Sequence, residues 1–221
     1  MSTSETANST ATPPHFLYFA DPMCSWCYGF SPVIERLHTH FADRLALRIV
    51  MGGLRAGNTE VMRDRDRAYI RSAWERVHTA SGQPFDFSFF DRKNFIYDTE
   101  PACRAVVAMR ERRPEMALAM MSAIANAFYA SNRDVTQNTI LAEVAAEVGE
   151  DPVTFLKTLT HPELRQKTMQ DFLFAQQLNV QGFPCLLVGS ETSEYTLVTS
   201  GYSPIDALID AVERWLENLP D

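Results

Sequence analysis

Residues 15–27 read His-Phe-Leu-Tyr-Phe-Ala-Asp-Pro-Met-Cys-Ser-Trp-Cys, and this stretch decides the fold. His15–Ala20 is short, apolar and rich in aromatic residues, which predicts a β-strand that ends at Asp21-Pro22. Beyond the two cysteines, apolar residues recur at spacings of three and four from Phe30 to Phe41, which predicts a helix. The cysteine pair therefore falls where a strand ends and a helix begins.

The spacing of Cys24 and Cys27 brings their sulfurs within disulfide reach across a single helical turn. We expect Cys24 at the helix N-terminus, where free N–H groups and the helix dipole favour a thiolate. Cys27 lies one turn further in and is expected to be more buried. In this interpretation Cys24 attacks a substrate disulfide, and Cys27 then releases the mixed disulfide.

Half of a zinc site is the alternative interpretation of this spacing, because zinc is also held by closely spaced cysteines. A zinc site needs two further ligands. Cys103 and Cys185 have no ligand beside them, and the five histidines are scattered along the chain. We therefore predict no metal site.

Outward from this stretch, the predicted element order is β-α-β, a long helical block, and then β-β-α. The second strand is Leu45–Met51, and the helical block runs from Thr59 to Leu178. The last two strands are Phe183–Val188 and Glu194–Thr199, which are joined by a hairpin turn at Gly189–Ser193. An amphipathic helix follows and ends at Leu219. This order predicts an α/β fold that is split by an all-helical insertion between the second and third strands. The predicted domains are residues 15–58 with 179–221, the insertion 59–178, and a disordered tail at 1–14.

Two helix starts inside the insertion have recognisable caps. Asp151 followed by Pro152 predicts an N-cap with proline at the first helical position. The sequence Thr160-His161-Pro162-Glu163 predicts a capping box that opens the next helix.

Composition and charge exclude several classes of partner. The 221-residue chain has 20 basic and 28 acidic residues, a net charge of −8, and no block of Lys or Arg. Nucleic acid and membranes are therefore not expected as partners. The first residues lack the basic and apolar segments of a secretory signal, so we predict a cytoplasmic protein.

The sequence Gly182-Phe183-Pro184 stands directly before an apolar strand. Proline lacks a backbone donor and is suited to the first residue of a strand. A cis peptide here would present the Phe183 backbone beside the cysteine pair, ready to pair with a substrate strand. From these residues alone, an ordinary trans proline is the alternative.

Together these features resemble the DsbA family of thioredoxin-like proteins, in its cytosolic FrnE-like branch. Residues 21–27, residues 182–184, the helical insertion and the segment 99–105 carry the resemblance, which covers nearly all of residues 15–219. It implies a thioredoxin fold, disulfide exchange at Cys24 and Cys27, and a cis peptide at Pro184. It also implies an oxidoreductase or isomerase that acts on disulfide-containing proteins or small molecules. A cellular thiol would serve as reductant, with glutathione as a candidate co-substrate and no bound cofactor.

The chain departs from this family at two positions near the cysteines. The dipeptide Ser25-Trp26 contains no histidine, and Tyr18 stands six residues before Cys24, where relatives often bury an acid. Both differences predict a milder, less oxidising couple.

Four other residues have two interpretations each. Trp26 either shapes the substrate surface or packs in the interior. Asp21 either caps the helix, which is favoured, or tunes Cys24. Cys103 is either a third redox thiol or, as favoured, a buried small residue. Cys185 is expected to be buried and structural, with a regulatory bridge to Cys27 as the minor alternative.

Two alternative functions remain from sequence. One is a glutathione-dependent isomerase or transferase on a related scaffold, although a resolving thiol would be superfluous in such an enzyme. The other is a non-enzymatic binding or chaperone-like protein that uses the methionines of the insertion. Those methionines are Met109, Met116, Met120 and Met121, and their helical spacing favours core packing instead. Oligomeric state is open.

Overall fold

The structure is a computed structural model that describes residues 13–190 and 194–219. The strands are β1 (His15–Ala20), β2 (Ala46–Met51), β3 (Cys185–Gly189) and β4 (Thr196–Ser200). The helices are α1 (Ser25–Phe41), α2 (Asp64–Ser81), α3 (Glu100–Arg112), α4 (Ala117–Tyr129), α5 (Asn138–Glu147), α6 (Pro152–Leu159), α7 (Pro162–Gln177) and α8 (Ile205–Glu217). Most of the predicted tail and the centre of the predicted hairpin turn lie outside the described residues.

The strands form one sheet in the order β2-β1-β3-β4. Strand β1 pairs in parallel with β2 and antiparallel with β3, and β3 pairs antiparallel with β4. Helices α2 to α7 all lie between β2 and β3 in the chain. The predicted α/β fold with a helical insertion is confirmed.

Strand β1 is buried on both faces, and its alternation divides the interior in two. Tyr18 and its same-face neighbours belong to the main core, together with α1. Leu17 and Phe19 belong to a smaller cluster on the opposite face, together with Cys185 and Ala175. Because side chains alternate along a strand, every residue of β1 and β3 is assigned to one of these two environments.

The insertion is held to the sheet by α3 and α7. Arg110 on α3 binds the carboxylate of Asp171 on α7 with both of its terminal nitrogens, at 2.7 and 3.0 Å. The same guanidinium donates to the Ile49 carbonyl of β2, and Asp171 accepts from the Met51 N–H. Three elements therefore meet at one largely buried ion pair.

The methionines of the insertion are core residues. Met109, Met120 and Met121 are buried, and Met116 packs against the same cluster. The core interpretation is confirmed, and these side chains form no exposed groove for an unfolded chain.

Two predicted helix starts have different outcomes. The Asp151 carboxylate accepts from Thr154 N–H at 2.8 Å, so this cap is confirmed. The predicted capping box is wrong, because Thr160 has helical angles and its hydroxyl donates to Lys157 at the end of α6. His161 is instead the extended residue before α7 and makes no side-chain cap, with Pro162 as the first helical residue.

Helix α2 also begins later than the predicted start at Thr59. Val61 forms an isolated antiparallel bridge with Ile96, which holds the residues before Asp64 in an extended loop. A tertiary pairing has overridden the helical pattern there.

Candidate active site

The cysteine motif lies at the junction of β1 and α1. Cys24 is the extended residue that precedes α1, with φ −93° and ψ 117°, and its carbonyl accepts from Tyr28 N–H. Its own N–H donates to the Asp21 carbonyl at 3.0 Å, which closes a tight turn. Cys24 is 6% exposed, whereas Cys27 is wholly buried one turn further on. The two thiols therefore stand where the sequence places them.

The loop before β3 meets Cys24 at the end of the neighbouring strand β1. The Phe183–Pro184 peptide is cis, as the family resemblance implies. The Cys24 thiol donates to the Phe183 carbonyl at 3.5 Å. The two segments that the sequence singled out, the cysteine motif and the loop at Pro184, are therefore in direct contact.

Gly52 is needed where the ring of Phe183 covers the end of β2. A Cβ atom at Gly52 would lie only 2.0 Å from Cζ of that ring. The glycine therefore allows the ring to pack directly on the backbone at the end of β2.

Asp21 does not cap α1, contrary to the favoured prediction. Its side chain is wholly buried and accepts from Met23 N–H at 2.8 Å, from Leu54 N–H at 2.7 Å and from the Cys103 thiol at 3.4 Å. The cap role is excluded because these donors already occupy the carboxylate. We call this arrangement the Asp21 junction; it joins the active-site turn, the loop after β2, and α3. Burial raises the pKa of Asp21.

Both remaining cysteines are buried. Cys103 is wholly buried in α3, as predicted, and also bonds to Asp21. Burial raises the pKa of Cys103 well above its usual value. Cys185 lies in the cluster on the opposite face of the sheet from Cys27, and burial raises its pKa to about 11. This placement excludes a bridge between Cys185 and Cys27 in this conformation.

Cys27 shares its buried site with Tyr18. Burial raises the pKa of the Cys27 thiol well above its usual value. The Tyr18 side chain is also wholly buried, and its hydroxyl has no hydrogen-bond partner among the described residues. Burial and then the neighbouring Cys27 raise the pKa of this phenol.

The insertion supplies a residue that sequence reasoning missed. The Tyr97 hydroxyl donates to the Met23 carbonyl at 2.7 Å and lies 3.2 Å from the Tyr129 hydroxyl. It therefore fixes the residue before Cys24. Its only sequence signal is the aromatic-rich stretch around it.

A cleft of about 570 Å³ opens above Cys24. It is lined by Cys24, Trp26, Leu54, Arg55, Tyr69 and Phe183, among others. Trp26 lines the cleft and also packs against the Tyr202 ring, with the ring centroids 6.1 Å apart; a role in shaping a substrate surface stays a prediction. A second cavity, of about 600 Å³, is lined by none of the cysteines, so of these two cavities only the cleft borders the predicted reactive thiol.

The described residues contain no group of three or more His, Cys, Asp or Glu side chains arranged to hold a metal ion. No helix in the part of the chain that the structure describes has the length and apolarity to cross a bilayer.

Residues 17–213 match the model of the DSBA-like thioredoxin domain. The chain therefore belongs to this family, which confirms the resemblance seen in the sequence. Membership supports thiol–disulfide oxidoreductase chemistry at a coarse level.

Solved structures and curated relatives give finer comparisons. A Nitrosomonas europaea protein, provisionally described as a protein disulfide isomerase, is 38% identical with a TM-score of 0.88; the match covers 94% of this chain and all of that one. The cytosolic disulfide reductase DsbM from Pseudomonas aeruginosa is 23% identical with a TM-score of 0.75, over 92% of this chain and 98% of DsbM. A ClpXP adapter protein SpxH from Bacillus subtilis is 24% identical over 79% of this chain. The match spans 58% of the length of SpxH.

Proposed function

We propose that this protein catalyses dithiol–disulfide exchange, with Cys24 as the nucleophile and Cys27 as the resolving thiol. The observation that carries this proposal is the contact between the Cys24 thiol and the Phe183 carbonyl at the cis peptide. A substrate strand that pairs with this backbone would bring its disulfide to the sulfur that the helix N-terminus favours as a thiolate.

The burial of the two thiols supports this division of roles. Cys24 reaches the cleft, whereas Cys27 is wholly enclosed and its raised pKa keeps it protonated. A substrate disulfide can therefore meet Cys24 first. Cys27 reacts only after the mixed disulfide has formed beside it.

A reducing compartment, the cytoplasm, is the setting that we propose. Reductase or isomerase activity then follows, because the cellular thiol pool returns the pair to the dithiol form. The absence of a histidine between the cysteines fits this direction, since it favours a milder couple.

Glutathione is the proposed co-substrate. Arg55 and Arg76 line the cleft beside Cys24 and offer positive charge to the carboxylates of a small acidic thiol. The structural relative DsbM has also been solved with GSH.

The test is insulin reduction by the wild-type protein and by Cys27→Ser. We expect the variant to lose turnover and to accumulate a mixed disulfide at Cys24. Cys185→Ser is the matched control, because it removes a buried thiol on the other face of the sheet and should keep full activity. Glutathione conjugation that is indifferent to Cys27 would instead support the isomerase or transferase alternative.

An adapter role is a second candidate, because the curated relatives are ClpXP adapter proteins. Binding of a partner exchanges no covalent bond and should survive in Cys24→Ser. Retention of ClpXP by immobilised Cys24→Ser, in a protein without exchange activity, would favour this candidate over the first.

A further inference from the structure

The buried hydroxyl of Tyr18 has no structural role that accounts for it. It lies on the face of β1 that packs against α1, and its ring is 6.1 Å from that of Phe30. Phenylalanine would fill the same space without burying a polar group. An unpaired buried hydroxyl lowers stability, and such groups are rare enough in native proteins to need an explanation.

The neighbour of this hydroxyl is the resolving thiol. Among the ionisable groups, the charge of Cys27 raises the pKa of Tyr18 most, and the charge of Cys24 comes next. Both Tyr18 and Cys27 are wholly buried, so the hydroxyl and the thiol lie in the same enclosed part of the core.

We propose that Tyr18 is a catalytic hydrogen-bond donor that stabilises the Cys27 thiolate while the mixed disulfide is resolved. The inference rests on the proposed exchange function and deepens it. The hydroxyl is unpaired while Cys27 is a thiol, because a neutral thiol is a weak acceptor. It gains a strong acceptor when Cys27 loses its proton.

The step balances as follows in atoms and electrons. Cys27 releases its proton to solvent in the cleft, and its sulfur attacks the Cys24 sulfur of the mixed disulfide. The Cys24–Cys27 bond forms as the bond from Cys24 to the substrate sulfur breaks. The substrate sulfur leaves with the electron pair and takes up a proton from solvent. The substrate is thus reduced by two electrons, and the cysteine pair is oxidised by two. Tyr18 keeps its own proton throughout.

The surroundings make the tyrosine a donor and not a base. Burial and the nearby cysteines hold the pKa of Tyr18 well above its usual value, so the phenol stays protonated at neutral pH. The other charged groups that act on the pair are Glu35, which raises the pKa of Tyr18, and Asp21, which raises that of Cys27. A hydrogen bond with the Asp21 backbone lowers the pKa of Cys27, and Tyr18 would add a side-chain donor to that backbone contact.

Tyr18→Phe tests this proposal with a chromogenic nitrobenzoate disulfide as the probe. This reagent releases one coloured thiol when Cys24 attacks it and a second when Cys27 resolves the mixed disulfide. We expect the first release to be unchanged and the second to be about tenfold slower at pH 7, with its pH profile moved up by about one unit. Tyr195→Phe is the matched control; it removes a hydroxyl that bonds to His15 at the far end of β1, and should leave both releases unchanged.

Stability separates this role from a structural one. Tyr18→Phe loses no hydrogen bond, so urea unfolding should show equal or higher stability than wild type. A second release at the wild-type rate with an unmoved pH profile would overturn the proposal, as would equal slowing of both releases. A wild-type protein that gives both releases but does not reduce insulin would count against the proposed function. The role of Tyr18 would still stand in that case if Tyr18→Phe slows the second release.

Discussion

Gly52→Ala tests whether the ring of Phe183 positions the active-site loop. The Gly52 backbone is fixed, because its N–H donates to Ala20 of β1 at 2.8 Å. An added Cβ would lie 2.0, 2.2 and 2.6 Å from three ring atoms of Phe183. The ring must therefore retreat by about 1.5 Å to reach the ~3.5 Å separation of ordinary carbon contacts. We expect the Phe183 carbonyl, which accepts from Cys24, to move with it.

The expected cost is that of overpacking, about 1–3 kcal/mol in the free energy of unfolding. Urea unfolding measures it, and the rate of Cys24 alkylation reports the displaced carbonyl. Phe183→Leu removes most of the colliding atoms, so the double variant should recover part of the loss. A coupling energy of about 0.5–3 kcal/mol is expected for residues in contact. Additive losses, or a Gly52→Ala protein as stable as wild type, would refute the reasoning.

Three further predictions concern charge and redox balance. Arg110→Met leaves the Asp171 carboxylate buried without its arginine partner and should lower the free energy of unfolding in urea by about 3–5 kcal/mol. Arg44→Met is the control, because it breaks an ion pair with Glu213 at the surface, and it should change this free energy little; equal effects would contradict the assignment. Burial raises the pKa of Asp21 in the folded protein, so the folded state binds more protons than the unfolded state. Stability therefore falls as pH rises from the pKa of an unfolded Asp, about 3.9, through the raised pKa of the folded state. Asp21→Asn should show a shallower fall over that window, and parallel curves for the two proteins would exclude this assignment. The reduction potential of the Cys24–Cys27 pair, measured in glutathione buffers, should be clearly more negative than about −120 mV. A value near −120 mV would show that the lack of a histidine between the cysteines does not make the pair less oxidising.

The parts of the fold that depend on local pattern could be predicted from the sequence. The aromatic strand, the cysteine pair and the apolar helix that follows lie within one continuous segment, so their order and spacing fix the β1–α1 junction. Strand alternation likewise predicts that Cys185 points away from the face that Pro184 presents, and Cys185 does lie in a different cluster from Cys27. Gly182-Phe183-Pro184 could be recognised as a cis loop only with the family resemblance, because most X–Pro bonds are trans.

The interactions of the site that depend on distant residues could not be predicted. Asp21 resembles a helix cap locally, but Leu54 and Cys103, which lie 33 and 82 residues away, occupy its carboxylate. Tyr97 reaches Met23 across 74 residues from an irregular stretch with no periodicity. The capping box failed for a different reason, since Pro162 began the helix one residue later than the motif requires. Pattern alone does not tell which of two neighbouring residues ends one helix and which precedes the next.

The Asp21 junction has a consequence for the molecules that can reach Cys24. The turn below the cleft and the loop at its edge are joined to α3 through one buried carboxylate, so separating them would break hydrogen bonds to a buried acid. The other side of the cleft is lined by α2 residues such as Tyr69 and Arg76, which are not part of this junction. We therefore expect the Asp21 side of the entrance to stay in place when a substrate enters, so that the cleft widens on the α2 side.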